Sequence, residues 1–333
     1  MNAGKSFLST YLRPLRPCLD DPRVVEVAIN PDGRVWVERQ GDAHMVPVEG
    51  LTFLATQAQD LAQSMAASAG VPFSEKRPVV SGKIMDGSAP LRVQVVSNPV
   101  VEGGCSISMR RYSMQKISMD GITLLHGKLV DLDDLKRQRA LRVIELAEAG
   151  DVSAAMRMCI EDRLNIVISG GTSTGKTTFA RGLLSLVDPA ERIVTIEDAY
   201  ELFPEQPNFV SLKSDRAGEG EKTPAKLLEA CLRMRPDRII LGELRGEEAK
   251  VFLEAINTGH GGSVTTLHAD TALKSIDRLA LMVMSTGLAM SFEEVRRYCA
   301  NSIDLVVQLG RIDGRRGIAE IYLPSGKIAS LSN

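Results

Sequence analysis

Apolar positions recur along this chain with two different periods, and the change from one to the other divides it. In the first third, residues 24–30 and 34–39 read as strands. Pro31-Asp32-Gly33 between them carries the residues of a hairpin turn. Residues 51–69 have the length and apolar spacing of a helix. Residues 92–97 and 106–111 alternate as strands around the Asn98-Pro99 break and Gly103-Gly104. A short helix over 6–17 is broken by its prolines. The opening is therefore mixed α and β.

Periodicity fades over 113–127, where Gly121 and Gly127 fall, and this stretch reads as a linker. Helical spacing returns over 132–164 in two pieces; Gly150 ends the first, and Asp151 or Ser153 caps the second. Beyond it, short apolar runs at 165–169, 193–196, 238–241 and 263–266 alternate with helical stretches, which predicts a doubly wound α/β core. Residues 303–308 and 318–323 flank Asp313-Gly314, a second hairpin signal. There is no internal repeat and no low-complexity tract.

Composition narrows the function classes. The 333 residues suggest about two domains, and 44% hydrophobic content supplies material for their cores. A formal charge of -2 removes the basic excess of a dedicated nucleic-acid binder, and 4% aromatic content weakens stacking on single strands. Five scattered cysteines without a Cys-x-x-Cys pair read as buried thiols of a reducing cytosol. The first residues lack a signal-peptide layout. The apolar run 279–292 is closed by Arg278 and Glu293, short of the ~18 residues of a membrane span, so membrane association is expected to be peripheral or through partners.

The chemistry concentrates in the second half. Gly170-Gly171-Thr172-Ser173-Thr174-Gly175-Lys176-Thr177 meets the P-loop pattern G-x-x-x-x-G-K-[ST] at every fixed position, after an apolar strand and before a helical stretch. Glycines let backbone amides turn inward around phosphate oxygens, and the helix adds its positive N-terminus. Lys176 places an ammonium on the β/γ-phosphates, and the Thr177 hydroxyl is suited to Mg²⁺. Gly170 through Thr177, with Thr178, form the expected site for ATP and Mg²⁺.

Residues 233–243, RMRPDRIILGE, form an apolar strand ending in an acid. Such strands commonly end in Asp; here Gly242 stands there and Glu243 follows. Glu243 is then the candidate general base or Mg²⁺ partner. The plainer reading is an exposed acid at a helix start. Glu197 and Asp198 close another strand, either supporting the metal or the water or acting as a cap. His260 and His268 lack the further ligands of a zinc site. They are read as hydrogen-bonding to the γ-phosphate or to a neighbouring subunit, or as satisfied structural histidines.

Together GGTSTGKT, TIEDAYEL, RMRPDRIILGELRGEEA and GHGGSVTTLHA stand in the order seen in one family. The chain resembles the hexameric traffic ATPases of type IV secretion and conjugation, within the larger secretion-ATPase superfamily. Upstream, LDDPRVVEVAINPDGRVWVE and LRVQVVSNPVV followed by SISMRR resemble that family's N-terminal domain. The resemblance covers most of the chain and is weakest over 113–151 and the last two dozen residues.

The resemblance implies a smaller α+β domain over 1–112, a linker over 113–151 and a RecA-like P-loop ATPase domain over 152–333. It matches Lys176 and Thr177 to phosphate and metal contacts, Glu197 to the acidic box, Glu243 to the catalytic Glu and His268 to the His box. Arg92 and Arg110 fall where the family sends arginines toward the phosphates, with Arg111 leaving that position ambiguous by one residue. It further implies a homo-hexamer in the cytoplasm, peripheral at the inner face of the inner membrane. Its partners there are inner-membrane secretion proteins, and its cargo is DNA or protein. Neighbouring alternatives are a pilus-assembly or type II secretion ATPase, several of which carry a four-cysteine zinc module not seen here, and a DNA-dependent motor. A non-hydrolysing nucleotide-binding scaffold conflicts with the joint presence of Lys176 and Glu243.

Overall fold

A computed structural model describes residues 7–112, 118–217 and 220–328. The chain gathers into two compact units. The first takes Met1–Ser113, Asp188–Glu201 and Glu205–Ile239; the second takes Met114–Val187, Leu202–Pro204 and Ile240–Asn333.

The first unit opens with α1 (Phe7–Tyr11) and α2 (Arg16–Leu19), two short helices separated at the prolines. Then come β1 (Val24–Ile29), β2 (Arg34–Arg39), β3 (Val46–Thr52), α3 (Ala55–Ala69), β4 (Val79–Asp86), β5 (Ala89–Val96) and β6 (Ser106–Arg111). The strands form a six-stranded antiparallel sheet in the order β3-β2-β1-β6-β5-β4. The expected hairpin at Pro31-Asp32-Gly33 joins β1 to β2. Gly33 has φ +84, and a Cβ there would lie 2.0 Å from the Phe53 carbonyl oxygen, so only glycine fits.

Two strands of this antiparallel sheet escaped the sequence reading, as β9 (Phe209–Lys213) does later in the chain. β3 occupies the start of the expected helix over 51–69, which begins instead at Ala55. β4 contains Gly82, where a Cβ would meet that of Ala69 at 2.9 Å. The glycine lets β4 pass close to α3 and at the same time weakens its strand pattern.

One sheet face is apolar. Val27, Ile29, Val35, Val37, Val93, Val95, Ile107 and Met109 cluster with Leu61, Ala62 and Met65, the inward stripe of α3. Each large aliphatic buried there contributes on the order of 1.5–3 kcal/mol. The other face is also buried and mixes the polar Glu26, Gln94 and Ser108 with an apolar cluster of Ala28, Trp36 and Met45. Here the fully buried Arg192 donates to Asn30 Oδ1 at 2.7 Å and to the Met234 carbonyl at 3.0 Å, and also to Asn208. Its neighbour Arg238 pairs with Glu191 at 2.8 Å, both side chains buried.

Further along, α4 (Leu132–Glu148) and α5 (Val152–Glu161) are the two expected helical pieces, with Asp151 capping the second through the Ala154 amide at 3.0 Å. Residues 113–117 of the linker lie outside the described residues. There follow β7 (Ile166–Gly170), α6 (Lys176–Leu184), β8 (Ile193–Glu197), β9 (Phe209–Lys213), α7 (Pro224–Cys231) and β10 (Arg238–Leu241). The chain closes with α8 (Glu248–Asn257), β11 (Val264–Leu267), α9 (Ala272–Met284), α10 (Phe292–Ser302), β12 (Leu305–Ile312), β13 (Arg315–Tyr322) and α11 (Pro324–Ile328). The apolar run 279–292 is thus split between α9 and α10. No helix among the described residues is long and apolar enough to cross a membrane.

These strands make a seven-stranded sheet in the order β13-β12-β7-β11-β10-β8-β9. β7 is buried throughout and lies parallel to both β11 and β12, as expected of a central strand covered on two sides. β12 and β13 form the expected hairpin, with positive φ at both Asp313 (49) and Gly314 (79), the two values a tight primed turn demands.

Candidate active site

Three parallel strands, β7, β10 and β11, deliver the site. In the register of β7 with β11, Ser169 lies opposite Leu267, and in that of β10 with β11, Leu241 lies opposite Thr265. The three carboxyl ends therefore share one edge, where α/β sheets bind ligands. At that edge the chain leaves β7 into the P-loop, β10 into Gly242-Glu243 and β11 into His268.

The P-loop is shaped by its backbone. Ser173 (φ 60) and Gly175 (φ 93) are left-handed, so successive N–H groups turn inward and form an anion-binding nest at the start of α6. Gly170 is sterically required: a Cβ would lie 2.6 Å from Thr174 Oγ1 and 2.9 Å from the Leu309 carbonyl oxygen. Thr174 Oγ1 donates to the Gly171 carbonyl at 3.0 Å and braces the turn. Gly171, Thr172, Thr177 and Thr178 complete the loop and first helical turn, with Thr172 and Thr178 exposed.

Lys176 is buried, and its Nζ donates to the carbonyls of Gly170 (3.0 Å) and Gly171 (2.9 Å). Burial lowers its pKa, opposed by the Glu243 charge. His268 stands between the two: its Nδ1 is 3.4 Å from Lys176 Nζ and its Nε2 is 3.3 Å from Glu243 Oε1. Glu243 also accepts from Arg245 Nη2 at 2.7 Å. Burial pushes the Glu243 carboxyl up, but the Arg245 hydrogen bond with the charges of Arg245 and Lys176 brings it below its ordinary value. His268 is lowered by burial and by Lys176. An ionised carboxylate, a neutral imidazole and an ammonium are thus lined up beside an anion nest.

The remaining sequence candidates make contacts of their own. The His260 ring is 3.3 Å from the Ala255 carbonyl, a structural contact. In the first unit, the Glu197 carboxylate at the end of β8 accepts from Thr195 Oγ1 (3.0 Å) and the Glu201 amide (2.8 Å). Asp198 binds Ser214 and Arg216. Arg92 and Arg110 are cross-strand partners on β5 and β6. They line a cavity of about 270 Å³ with Arg111 and Tyr112. Arg111 donates to the Asp21 carbonyl at 2.7 Å, whereas the Arg110 side chain is 68% exposed and 4.0 Å from Glu26.

Sequence reasoning missed two groups near the site. Arg245 follows Glu243 by two residues, a signal that was readable. Thr266 donates to the Gly242 carbonyl at 2.7 Å and pins the position where an Asp commonly stands, a contact only the sheet creates.

Comparison with known proteins agrees with this arrangement. The family described as "Type II/IV secretion system protein" matches residues 12–320. The type IV secretion system protein VirB11 of Brucella suis is 35% identical, over 96% of this chain and 91% of its own length. The conjugal transfer protein TrbB of Rhizobium radiobacter is 33% identical, over 91% of this chain and 84% of its own. The crystal structure of the Brucella suis VirB11 ATPase in complex with sulphate superposes with a TM-score of 0.84, at 32% identity, over 98% of this chain and 96% of that one. Since the match runs through both units, from residue 12 to residue 320, the chain as a whole belongs to the type II/IV secretion system protein family.

Proposed function

We propose that this chain is the ATP-hydrolysing motor subunit of a type IV secretion or conjugal-transfer apparatus. The observation that carries the reading is the line Lys176–His268–Glu243 beside a P-loop nest. The VirB11 and TrbB relatives support the setting. In this reading residues 1–112 form the N-terminal α+β domain, 113–151 the linker and 152–333 the RecA-like ATPase domain.

The amides of Gly170 to Thr178 cradle the phosphates. Lys176 exchanges its two carbonyl partners for β/γ-phosphate oxygens, and the phosphate charge stabilises its protonated form. Glu243, ionised at neutral pH, orients and deprotonates the attacking water. Neutral His268 bridges Glu243 to the γ-phosphate region and reports its occupancy. Arg92 and Arg110 are the further residues offered as contacts to phosphate oxygens.

The residues present fit Mg²⁺ arriving with the nucleotide. No group of three or more His, Cys, Asp or Glu among the described residues makes a cage of its own. Mg²⁺ is commonly held by one or two protein oxygens plus substrate phosphates. Thr177 and Glu243, with Glu197 as the further candidate, supply those oxygens. When bound, the ion neutralises charge developing on the phosphates.

Six copies form the ring, which docks peripherally on inner-membrane secretion proteins from the cytoplasm and moves protein or DNA. The direct test is phosphate release by purified chain. Lys176→Ala should abolish turnover and weaken ATP binding; turnover at the wild-type rate in that variant refutes the site.

A further inference from the structure

One polar side chain interrupts the interior of the seven-stranded sheet. β12 begins Leu305-Val306-Val307-Gln308-Leu309, all buried, between β7 and β13. Gln308 lies opposite Ser169 of β7 on one side and Glu320 of β13 on the other, so the three side chains share a face. The β12–β13 register slips by one residue just past Gln308, leaving Ala319 without an opposite number. Such a bulge re-aims the side chains around it and is common beside active sites.

Packing alone argues against an amide here, because an apolar side chain of the same size would fill the site without desolvating a polar group. Gln308 Nε2 donates to the Ala269 carbonyl at 3.1 Å. Its Oε1 and the Ser169 hydroxyl, both buried, have no hydrogen-bond partner among the described residues. The amide is half satisfied, and its satisfied half holds the residue after His268. Glu320 holds the same segment from β13, its Oε2 accepting from the Ala272 amide at 3.3 Å. Between these two anchors Thr271 caps α9 through the Lys274 amide at 3.2 Å.

His268 is thereby anchored on its far side. Its imidazole keeps two partners at once, with Nδ1 at 3.4 Å from Lys176 Nζ and Nε2 at 3.3 Å from Glu243 Oε1. A freely turning Ala269 peptide would swing the ring off that line. A displacement of about 1 Å in a reacting constellation can cost on the order of a hundredfold in rate.

We infer that Gln308 is a positioning residue for ATP hydrolysis: its amide fixes the Ala269 carbonyl and so keeps the His268 ring in line between Lys176 and Glu243. A half-satisfied buried amide is tolerated for the sake of that geometry. The inference rests on the ATPase reading and on the part His268 plays in it, but is separable from both, because the imidazole can be observed without turnover.

Gln308→Met keeps the length and bulk of the side chain and removes the donor. In the full-length chain kcat for Mg²⁺-ATP should fall about ten- to hundredfold, while KM stays within about twofold and the melting temperature does not drop. With only four histidines in the chain, imidazole NMR can follow each ring, His268 being assigned through His268→Ala. In Gln308→Met the His268 signal should move, and those of His44 and His126 should not. Gln308→Glu supplies a rescue. Its protonated carboxyl donates to the Ala269 carbonyl, whereas its ionised form cannot. Burial and the like charge of Glu320 opposite it on β13 both favour the protonated form, and Ser169 opposite it on β7 carries no charge. The kcat of Gln308→Glu, taken relative to wild type at the same pH, should be near one at about pH 6 and fall about tenfold or more by about pH 9. The same ratio for Gln308→Met should stay flat.

Should Gln308→Met fail to fold, the pH dependence of Gln308→Glu decides alone. Wild-type kcat in Gln308→Met overturns the proposal. A lowered kcat with an unmoved His268 signal also overturns it, because the loss would then not pass through the imidazole. So does a Gln308→Glu ratio that is flat with pH. A wild-type chain that hydrolyses no ATP sinks the ATPase reading itself, and the His268 signal in Gln308→Met then decides the placement of the ring by itself.

Discussion

Glu243 sits one residue past the place where an acid usually ends such a strand, and the local bonding explains how it still serves. Thr266 holds Gly242 in place, while Arg245 and His268 hold the two oxygens of Glu243. Glu243→Gln keeps the shape but loses the charge and the basicity. It should bind ATP with near-normal affinity and hydrolyse it roughly a hundredfold or more slowly, as rapid-mix phosphate assays would show. Wild-type turnover in that variant would move the base role to Glu197. Arg110 and Arg111 separate by the same kind of bookkeeping. Arg111 is tied to a backbone carbonyl, so Arg110 is the one left to reach an anion.

At the scale of elements, the P-loop depends on a backbone approach. Gly170→Ala would drive a methyl into Thr174 and into the Leu309 carbonyl on β12. Because one of these is backbone, the loop must shift. Denaturant melts should show a loss of about 1–3 kcal/mol together with weaker nucleotide binding; an unaltered melt would mean the loop adapts freely. The β1–β6 pair makes a second case. Glu26 is buried opposite Arg110, with Glu38 on β2 and Arg192 and Arg235 also facing it. Burial pushes its carboxyl up to about 7, against the pull of Arg110. A raised carboxyl pKa means that the folded state binds the proton more tightly than the unfolded chain. The associated stability is present below about pH 4.5 and is lost as pH rises through 7, by up to about 3 kcal/mol. Glu26→Gln should remove that slope, giving a protein more stable than wild type at pH 8 and closer to it at pH 5. Parallel pH dependence in the two proteins would show that Glu26 is not the group responsible.

At the scale of the whole molecule, the predicted ring is a matter of mass. Sedimentation with a non-hydrolysable ATP analogue and Mg²⁺ should give six times the chain mass. A monomer under those conditions would remove the hexamer from the proposal. The balanced charge adds a second expectation: duplex or single-stranded DNA should leave turnover nearly unchanged. Strong stimulation that falls steeply with salt would point to a motor acting directly on nucleic acid.

By itself the sequence determined the phosphate chemistry and most of the element order. Both depend on short-range rules, namely glycine positions, apolar period and turn residues such as Asp313-Gly314. It left β4 unread because Gly82 breaks the pattern for the sake of packing against α3, and it left β3 unread because Pro47, Glu49 and Gly50 interrupt its apolar alternation. Only the tertiary structure decided which distant residues meet. Parallel registry of β7, β10 and β11 brings Lys176, Glu243 and His268 to one edge from positions up to 92 residues apart. The sheet likewise leaves His260 on a backbone carbonyl. No local period encodes such meetings, since they arise only when strands far apart in the chain pair side by side.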